Sequence, residues 1–527
     1  MFDTLVRGGR IVDGTGASWF KADIAINGDT LTVLRGNTSA VQAAITIDAS
    51  GLVVAPGFID VHTHSDLLAL TGRHPGVICK LQQGVCTEVI GLDGLSYAPA
   101  SRRNIEQLRL QWAAVDGDPD TSYSWRSVAQ YLSQFNGRTP VNVAYLVPHG
   151  NVRAEVMGWD DRPATKDEIR HMQDAIKTGI EQGAFGLSTG LTYSPCLFAN
   201  TQELIDLNSV VAECGGVFSI HVRYDLGDCF LDPLREAIDI AKASRVRLHI
   251  SHLMTNTEFQ RGRTGELLGL LESARADGCE VTFDCDPHME FSTALWALLP
   301  RWVKDGGPEQ LLKKIRLPEN RALIRAELEQ MGFIPLISDA FRVGGVRTAL
   351  NRNLEGQLLG AVAKLRGKDM INTLCDLLIE ENLQISFVAF TLNEEDNVAL
   401  IKHPLGMVAS DSIWTTGEKP MRRNFGTFPR VLGEYVRERK AMALEEAVRK
   451  ITSFPARTLG INDRGMIRSE MKADLVIFNP DTVKEMATID NPAPPEGIEY
   501  VLINGKVVIE KGKYTGALPG RALTQRW

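Results

Sequence analysis

Polar and apolar residues alternate in short runs near both ends of the chain. Gly, Asn and Asp punctuate these runs, as turns between antiparallel strands require. Asn504-Gly505, between two such runs, is a strong hairpin signal. The strands predicted in this way are Thr4–Ile11, Asp23–Ile26, Thr30–Leu34 and Ala44–Asp48, then Asp474–Phe478, Ile498–Ile503 and Lys506–Glu510. The pattern predicts one small β-sandwich built from both ends, residues 1–54 and 464–527.

Between these ends, continuous apolar runs alternate with amphipathic stretches such as Thr201–Cys214, Asp232–Ala243 and Glu266–Ala276. The apolar runs are Val54–Asp60, Thr87–Gly91, Val141–Val147, Phe185–Ser188, Val217–His221, Val246–His252, Glu280–Asp284 and Gly406–Ser410. Strand–helix alternation repeated eight times predicts an α/β fold, a (β/α)8 TIM-like barrel over residues 55–463. The connection after the seventh run far exceeds the usual 2–6 residues or so. It predicts an insertion at about 286–352 that covers the mouth of the barrel.

Composition narrows the class of protein. The chain has 527 residues, of which 44% are hydrophobic and 23% charged, and these fractions are typical of a soluble globular protein. The net charge of −8 gives no support for binding nucleic acid or an acidic membrane. Its eight cysteines form no C-x-x-C pair, which predicts reduced thiols. We therefore expect a cytoplasmic protein, and a homo-oligomer is left open.

Metal-binding residue types follow several of the apolar runs. His62 and His64 are spaced i, i+2, so on a strand both side chains project to one face and can bind one cation. A lone His-x-His pair is more often two histidines in a polar turn. Here candidates follow six separate runs: His62 and His64, Asp93, His149, His221 with Arg223, His252, and Asp411. The carboxyl ends of barrel strands meet at one mouth, so the pattern predicts a hydrolytic site with one or two metal ions.

Several segments carry a family resemblance. They are Ala55-Pro-Gly-Phe-Ile-Asp-Val-His-Thr-His64, Gly186-Leu-Ser-Thr-Gly-Leu-Thr-Tyr-Ser-Pro195, His221-Val-Arg223, Ile250-Ser-His252, Ser410-Asp411 and Gly426-Thr-Phe-Pro-Arg-Val-Leu-Gly433. On these residues the chain resembles the amidohydrolase superfamily, and within it the N-acyl-D-amino-acid deacylase (D-aminoacylase) family. The resemblance covers nearly the whole chain. It implies a metal-dependent hydrolase that cleaves a C–N amide bond of a small N-acylated compound.

The resemblance also implies roles for individual residues. His62 and His64 match the ligands of the more exposed metal, and His221 and His252 match those of the tighter zinc. Asp411 matches the aspartate that binds metal and acts as general acid/base. Such a carboxylate can accept a proton from water and deliver it to the departing amine.

Substrate-binding residues are implied as well. Arg423 matches an arginine that holds a substrate carboxylate, which its guanidinium can bind through two hydrogen bonds. The alternative is that Arg423 belongs to a solvated pair with Arg422. His149, Arg223 and His288 are further candidates for contact with the substrate, and the alternative for His288, which we favour, is a loop histidine.

The chain departs from the family at three places. Asp93 stands where D-aminoacylases place a metal-bridging cysteine, and we predict that its carboxylate bridges two ions. A carboxylate is a harder donor than a thiolate, so zinc is less strongly favoured over manganese or iron. Met254 replaces a lysine, and Asp286-Pro287-His288 replaces Tyr-Pro-Tyr. The metal chemistry is therefore expected to be intact, whereas the amino-acid pocket is altered.

Three functions are compatible with these residues. The first is hydrolysis of an N-acylated small molecule, such as an N-acyl-D-amino acid. The second uses the same metal site on a cyclic amide, imide, enamide or lactone. The third is a non-catalytic relative, which would be expected to lose metal ligands that this chain retains.

Overall fold

Eight parallel strands follow one another in chain order at the centre of the fold. The computed structural model describes residues 1–72, 74–119, 121–255, 259–414, 419–489 and 491–525. Core strands one to eight are Phe58–Asp60, Val85–Ile90, Asn142–Tyr145, Gly186–Gly190, Val217–His221, Arg247–Ile250, Val281–Cys285 and Gly406–Val408. Each pairs with the next in parallel register, and a two-residue continuation of strand three, Val147–Pro148, makes the pairing to strand four. Beyond strands one and eight, Thr63–His64 and Ser412–Ile413 also pair in parallel.

Helices separate the core strands and cover them with apolar side chains. Their bounds are Pro75–Gln82, Arg102–Asp116, Val128–Ser133, His149–Met157, Lys166–Glu181, Thr201–Glu213, Asp232–Ser244, Thr264–Ala276 and Glu394–Lys402. Lys166–Glu181 illustrates the local causes: a capping box between Thr165 and Glu168 begins the helix, and Met172 and Ile176 on one face are buried. The predicted α/β fold class is confirmed by this alternation of strands and helices.

Four helical segments follow core strand eight. They are Arg423–Arg430, the π-helical Val431–Glu438, Leu444–Lys450 and Ser453–Leu459. Pro429 lies inside the first of them, and the π-helical turns follow directly after it. Proline cannot donate the i to i−4 hydrogen bond of an α-helix. Pro429 is therefore a local cause of the change from α-helical to π-helical hydrogen bonding.

Strands from both ends of the chain form two further sheets. The four-stranded sheet has the order Thr30–Leu34, Asp23–Asn27, Phe2–Arg7 and Ala43–Asp48. The seven-stranded sheet has the order Lys513–Tyr514, Lys506–Glu510, Ile498–Ile503, Leu475–Phe478, Val53–Pro56, Arg10–Ile11 and Phe20–Lys21. A cluster of buried apolar side chains, including Val6 and Ile24 from the first sheet and Val54 and Leu475 from the second, joins the two.

Two predicted strands are each divided between sheets. Thr4–Ile11 is split at Gly8, where φ is +76° and a Cβ would lie 2.7 Å from Ser50 Oγ. Val54–Asp60 is split at Gly57, where a Cβ would lie 2.4 Å from Cys86 Sγ. Only glycine fits such close approaches without displacing its neighbours. The residues before each break pair in one sheet, and those after it pair in another.

A long segment between core strands seven and eight has its own secondary structure. Its three antiparallel strands are Phe291–Ala294, Phe341–Val346 and Ile385–Ala389, and its helices are Arg301–Lys304, Pro308–Lys314, Pro318–Gln330, Phe333–Ala340, Leu359–Leu365 and Met370–Glu380. Ile385–Ala389 is the middle strand and pairs with both others. The inserted segment therefore continues past the expected bound at 352, because its sheet needs that last strand at its centre.

The inserted segment contacts the connections that follow core strands two and four. Tyr193 Oη and Thr293 Oγ1 lie 2.9 Å apart, and Lys304 Nζ donates to the Thr192 carbonyl at 3.3 Å. Trp296 Nε1 donates to the carbonyl of Gln111 at 3.0 Å. These connections leave the carboxyl ends of the core strands, where the predicted ligands also lie.

Two further features are the state of the thiols and the length and apolarity of the helices. All eight cysteines are free, and six of them are buried. Their thiols therefore pack as small apolar side chains. In the part of the chain that is described, no helix has the length and apolarity needed to cross a bilayer.

Candidate metal centre

The six predicted metal ligands lie together at the carboxyl ends of the core strands. His221 is the last residue of strand five, and the others follow strands one, two, six and eight within four residues. All six are buried: His62, His64, Asp93, His221, His252 and Asp411. Two sets of three donor atoms each lie within 4.8 Å of one another, namely His62, Asp93 and His252 in one, and His62, His64 and Asp411 in the other.

Asp93 lies at the centre of this group. Its Oδ1 is 3.7 Å from His62 Nε2 and 3.8 Å from His252 Nε2. Its Oδ2 is 3.7 Å from His64 Nε2 and 3.6 Å from His221 Nδ1. These distances exceed those of hydrogen bonds. Two atoms bound to one tetrahedral zinc at about 2.1 Å would be roughly 3.4 Å apart, so the spacing suits atoms that share an ion.

Unpartnered buried atoms test whether the residues fit a cation. Both ring nitrogens of His62, Nδ1 of His64 and Oδ1 of Asp93 are buried without a hydrogen-bond partner among the described residues. Leaving such atoms unpaired is costly unless something else satisfies them. Imidazole nitrogens and carboxylate oxygens are also a donor set that zinc and neighbouring divalent metals accept. The residues therefore fit the predicted metal.

The backbone at three of these ligands is in the left-handed region. The φ angles are +53° at Asp93, +34° at His252 and +45° at Asp411. Such conformations cost on the order of 1–3 kcal/mol each for a non-glycine residue and collect at functional sites. Neighbouring hydrogen bonds hold them, for example Asp411 N to the His62 carbonyl at 2.9 Å. The fold therefore fixes the direction of these side chains at some cost in stability.

Charge in the cluster favours a cation. Burial lowers the pKa of His62, but the carboxylates of Asp93, Asp284 and Asp411 outweigh burial and raise it to about 10. Burial raises the pKa of Asp93, but His62 and His221 hold it well below its usual range. Burial likewise raises the pKa of Asp411, but Arg423 and the neighbouring histidines hold it below its usual range. Asp93 and Asp411 are therefore charged at neutral pH, and their carboxylates can neutralise a bound metal ion.

Asp284, which the sequence analysis did not select, supports two of the ligands. It is fully buried in core strand seven, and its Oδ1 accepts a hydrogen bond from the backbone N of His252 at 2.9 Å. Its Oδ2 lies 2.8 Å from His249 Nε2 and 3.7 Å from His62 Nδ1. Carboxylates beside metal-ligating histidines commonly fix the ring orientation and tautomer. The sequence does contain a signal for Asp284, because this residue ends the apolar run Glu280–Asp284.

A buried lysine links the ends of core strands one and eight, which His62 and Asp411 follow. Lys80 donates to Asp60, two residues before His62, and to Ser410 Oγ at 2.6 Å. The backbone N of Ser410 donates to Asp60 Oδ1 at 2.9 Å. This pairing fixes core strands one and eight where both turn into the ligand cluster.

Arg423 lies beside Asp411. The guanidinium is buried, with 1% of the residue exposed, and its Nη1 donates to Asp411 Oδ2 at 2.9 Å. Its Nε and Nη2 are also buried but have no partner among the described residues. These two donors form one edge of the guanidinium, the geometry that binds a carboxylate through two hydrogen bonds. The alternative of a solvated arginine pair is wrong, because Arg423 is buried.

The other substrate-binding candidates lie in separate networks. His149 contacts Thr189 Oγ1 at 2.9 Å through Nδ1 and Glu203 Oε1 at 3.2 Å through Nε2. Arg223 donates to Glu236 and to the carbonyls of residues 197 and 199. Polar atoms of both side chains are thus engaged by neighbouring protein groups. Their position after a strand could not reveal this.

His288 is fully buried and bridges two carboxylates. Its Nδ1 lies 2.6 Å from Asp286 Oδ1, and its Nε2 lies 2.9 Å from Glu485 Oε1. Burial lowers the pKa of His288, but Asp286 and Glu485 raise it to about 9. With both nitrogens engaged, the ring has no free polar atom for a substrate. His288 does lie in a loop, between Val281–Cys285 and Phe291–Ala294, as the alternative interpretation held, but it is buried there.

The fold and ligand cluster agree with comparisons to known proteins. The model of the amidohydrolase family matches residues 46–278 and 352–509, more than half of the chain. The chain belongs to the amidohydrolase family. The residues between the two matched parts, 279–351, contain core strand seven and much of the inserted segment. Membership makes the chain a hydrolase that acts on C–N bonds other than peptide bonds, so the non-catalytic alternative is not favoured.

Similarity to individual proteins extends over the full length. D-aminoacylase of Alcaligenes xylosoxydans xylosoxydans is 33% identical over 528 residues, which cover 99% of this chain and 98% of the relative. A crystal structure of D-aminoacylase is 31% identical, with a TM-score of 0.83 and complete coverage of both chains. The N-acyl-D-glutamate deacylase of Bordetella bronchiseptica, solved with zinc and a phosphonate inhibitor, is 30% identical, with a TM-score of 0.83 and coverage of 99% and 100%. The predicted resemblance to D-aminoacylases is confirmed.

Proposed function

We propose that this amidohydrolase removes the acyl group from an N-acylated amino acid, as an N-acyl-D-amino-acid deacylase, with Asp411 as general acid/base. The observation that carries the proposal is the position of Arg423. Its unpartnered Nε and Nη2 edge lies next to Asp411, which belongs to one of the two donor sets. A substrate carboxylate bound there would hold the neighbouring amide close to the metal ligands.

His62, His64, Asp93, His221 and His252 would hold one or two divalent ions, together with Asp411, and zinc is the ion we propose. The support is the two donor sets, which contain all of these residues except His221, the 3.6 Å between His221 Nδ1 and Asp93 Oδ2, and the zinc in the Bordetella bronchiseptica relative. Asp93 would bridge two ions in the place of the family's cysteine. Manganese or iron remains compatible with its harder carboxylate.

The chemistry divides between the ion and the protein. A bound divalent ion lowers the pKa of water from about 15.7 to about 7 and so provides a nucleophile near neutral pH. Asp411 would take the proton at Oδ1, which lies 3.4 Å from His64 Nε2 and 3.5 Å from His62 Nε2, and pass it to the leaving amine. Arg423 Nη1 holds the other oxygen, Oδ2, and so fixes the orientation of the carboxylate.

Aromatic side chains would limit the access of bulk water. Trp112 packs edge-on against His64 with ring centroids 5.6 Å apart, and Tyr193 lies over His221 at 4.8 Å. Water exclusion strengthens the electrostatic interactions inside such a site. The second hypothesis, a cyclic substrate, is not favoured, because the full-length relatives at 30% identity or more are deacylases.

We further propose the domain organisation that the sequence predicts. The eight core strands would close into a (β/α)8 barrel over residues 55–463, supported by the parallel pair between Thr63–His64 and Ser412–Ile413. The two terminal sheets would form a sandwich from residues 1–54 and 464–527, supported by their shared apolar cluster. A cytoplasmic location is supported by the eight free thiols.

The experiment is metal analysis combined with a substrate panel. Purified protein would be assayed on N-acetyl-D-amino acids, their L enantiomers, cyclic amides and lactones, before and after treatment with a chelator. We expect hydrolysis of D compounds that chelation abolishes and zinc restores. Hydrolysis of cyclic amides or lactones alone, in metal-loaded protein, would overturn the proposal in favour of the second hypothesis.

A further inference from the structure

Arg423 is held from one side only. Its Nη1 donates to Asp411 Oδ2 at 2.9 Å and lies 3.5 Å from Asp286 Oδ2. Both anchors act on the same nitrogen, while Nε and Nη2 have no partner in the described chain. The direction in which this open edge points therefore depends on where the two anchoring carboxylates lie.

Asp286 is itself held in place by a histidine. His288 contacts Asp286 Oδ1 twice, through its backbone N at 3.0 Å and through its ring Nδ1 at 2.6 Å. Asp286 Oδ2 then faces Arg423, so the two oxygens of one carboxylate have separate partners. A change at His288 would free Asp286 to rotate and would remove one of the two anchors of Arg423.

Glu485 holds the far side of His288 and comes from a different part of the chain. It lies between Leu475–Phe478 and Ile498–Ile503, two strands of the seven-stranded sheet. Its Oε1 is 2.9 Å from His288 Nε2, and its Oε2 is 3.4 Å from Arg430 Nη1. The C-terminal segment thus reaches His288 through a side chain.

Gly426 makes room for this contact. It lies in the same helix as Arg423, and a Cβ on it would be only 2.4 Å from Glu485 Cγ and 2.5 Å from Glu485 Oε1. Real Cβ atoms do not approach other atoms so closely, so any larger residue at 426 would displace the Glu485 side chain. The close approach is a second, independent indication that the position of Glu485 is specified.

We propose that Glu485 and His288 are positioning residues that act through Asp286 to aim the open edge of Arg423 at the substrate carboxylate. The charges along this row alternate: Glu485 negative, His288 positive, Asp286 negative, Arg423 positive. Alternation inside a buried region stabilises each member by its neighbours. The C-terminal segment thereby sets substrate affinity. This inference rests on the proposed function.

The test compares His288→Gln and Glu485→Gln with the wild type on the best N-acetyl-D-amino acid of the panel. The matched control is Glu496→Gln, in the same segment, where the Glu496 carboxylate pairs with Lys484 at the exposed surface. We expect KM to rise about tenfold in both variants, the loss of one charge-assisted hydrogen bond, with kcat and metal content within twofold. The control should match the wild type.

A merely structural role predicts a different result. Loss of folded protein would lower the melting temperature and the apparent kcat but leave KM unchanged, and that outcome would overturn the inference. Gly426→Ala is a further variant that keeps all the charged residues, and its KM should rise as well. If the wild type hydrolyses no N-acetyl-amino acid, the proposed function fails. If it hydrolyses one and both variants keep its KM, only the inference fails.

Discussion

Replacement of Asp411 by asparagine separates catalysis from metal binding. The donor set of His62, Asp93 and His252 does not include Asp411, so at least one equivalent of metal should remain bound. Asparagine keeps the size of the side chain and one oxygen, but it cannot accept a proton from water at neutral pH. We therefore expect a folded, metal-containing protein with little turnover.

The expected loss of activity in Asp411→Asn has two parts, one in kcat and one in KM. Loss of general acid/base help typically lowers kcat about 10²–10⁴-fold, which is about 2.7–5.5 kcal/mol in the activation free energy. Arg423 Nη1 also loses a charged acceptor at 2.9 Å. Such a bond is worth about 1.5–3 kcal/mol, so KM should rise by at least about tenfold. Asp411→Asn should therefore lower kcat/KM by more than it lowers kcat.

One preparation suffices for the measurement. The metal content, the melting temperature and the steady-state constants of Asp411→Asn are determined together, with the wild type beside it. Retained kcat with a lowered melting temperature would mean that Asp411 only caps the turn after core strand eight. Complete loss of metal would instead mean that His62, Asp93 and His252 cannot hold an ion without Asp411, which would contradict the prediction.

Three further predictions concern neighbouring residues. Asp93→Ala should lose at least one equivalent of metal. Full metal content on elemental analysis would refute this and would mean that Asp93 is only a turn residue. Asp284→Asn should weaken metal binding about 10–100-fold in a chelator competition, because His62 loses the carboxylate beside its Nδ1; an unchanged dissociation constant would contradict this role. Since the pKa of His288 is raised from 6.5 to about 9, its charge stabilises the fold fully below about pH 6.5, and this stabilisation is lost as pH rises through 9. The melting temperatures of wild type and His288→Gln should accordingly converge between pH 7 and pH 10, and a constant difference would refute the charged state.

Residues that follow apolar runs were the most predictable part of the site. His62, His64, His221 and His252 were selected because parallel strands bring their carboxyl ends to one edge. The same rule also selected His149 and Arg223, which lie in other networks. A residue that follows a strand can be assigned to the carboxyl edge of the sheet. The direction of its side chain depends on tertiary packing, which the sequence pattern does not contain.

Long-range contributions could not be predicted. Glu485 lies nearly 200 residues from His288 in a segment without regular periodicity, so nothing local connects them. The sequence pattern does not reveal the last strand of the inserted segment, Ile385–Ala389, for a related reason: its pairing partners lie about 40 and 90 residues earlier. Sheet pairing across such separations is set by tertiary contacts rather than by local propensity.

The seven-stranded sheet has a consequence for synthesis on the ribosome. Val53–Pro56 pairs with Leu475–Phe478, so one edge of that strand has no partner until late in translation. Roughly 420 residues separate the two, which at about 5–20 residues per second leaves the edge open for on the order of 20–80 s. Exposed apolar edges invite pairing with other chains. We expect slower translation to lower the yield of soluble protein and chaperones that shield nascent chains to restore it.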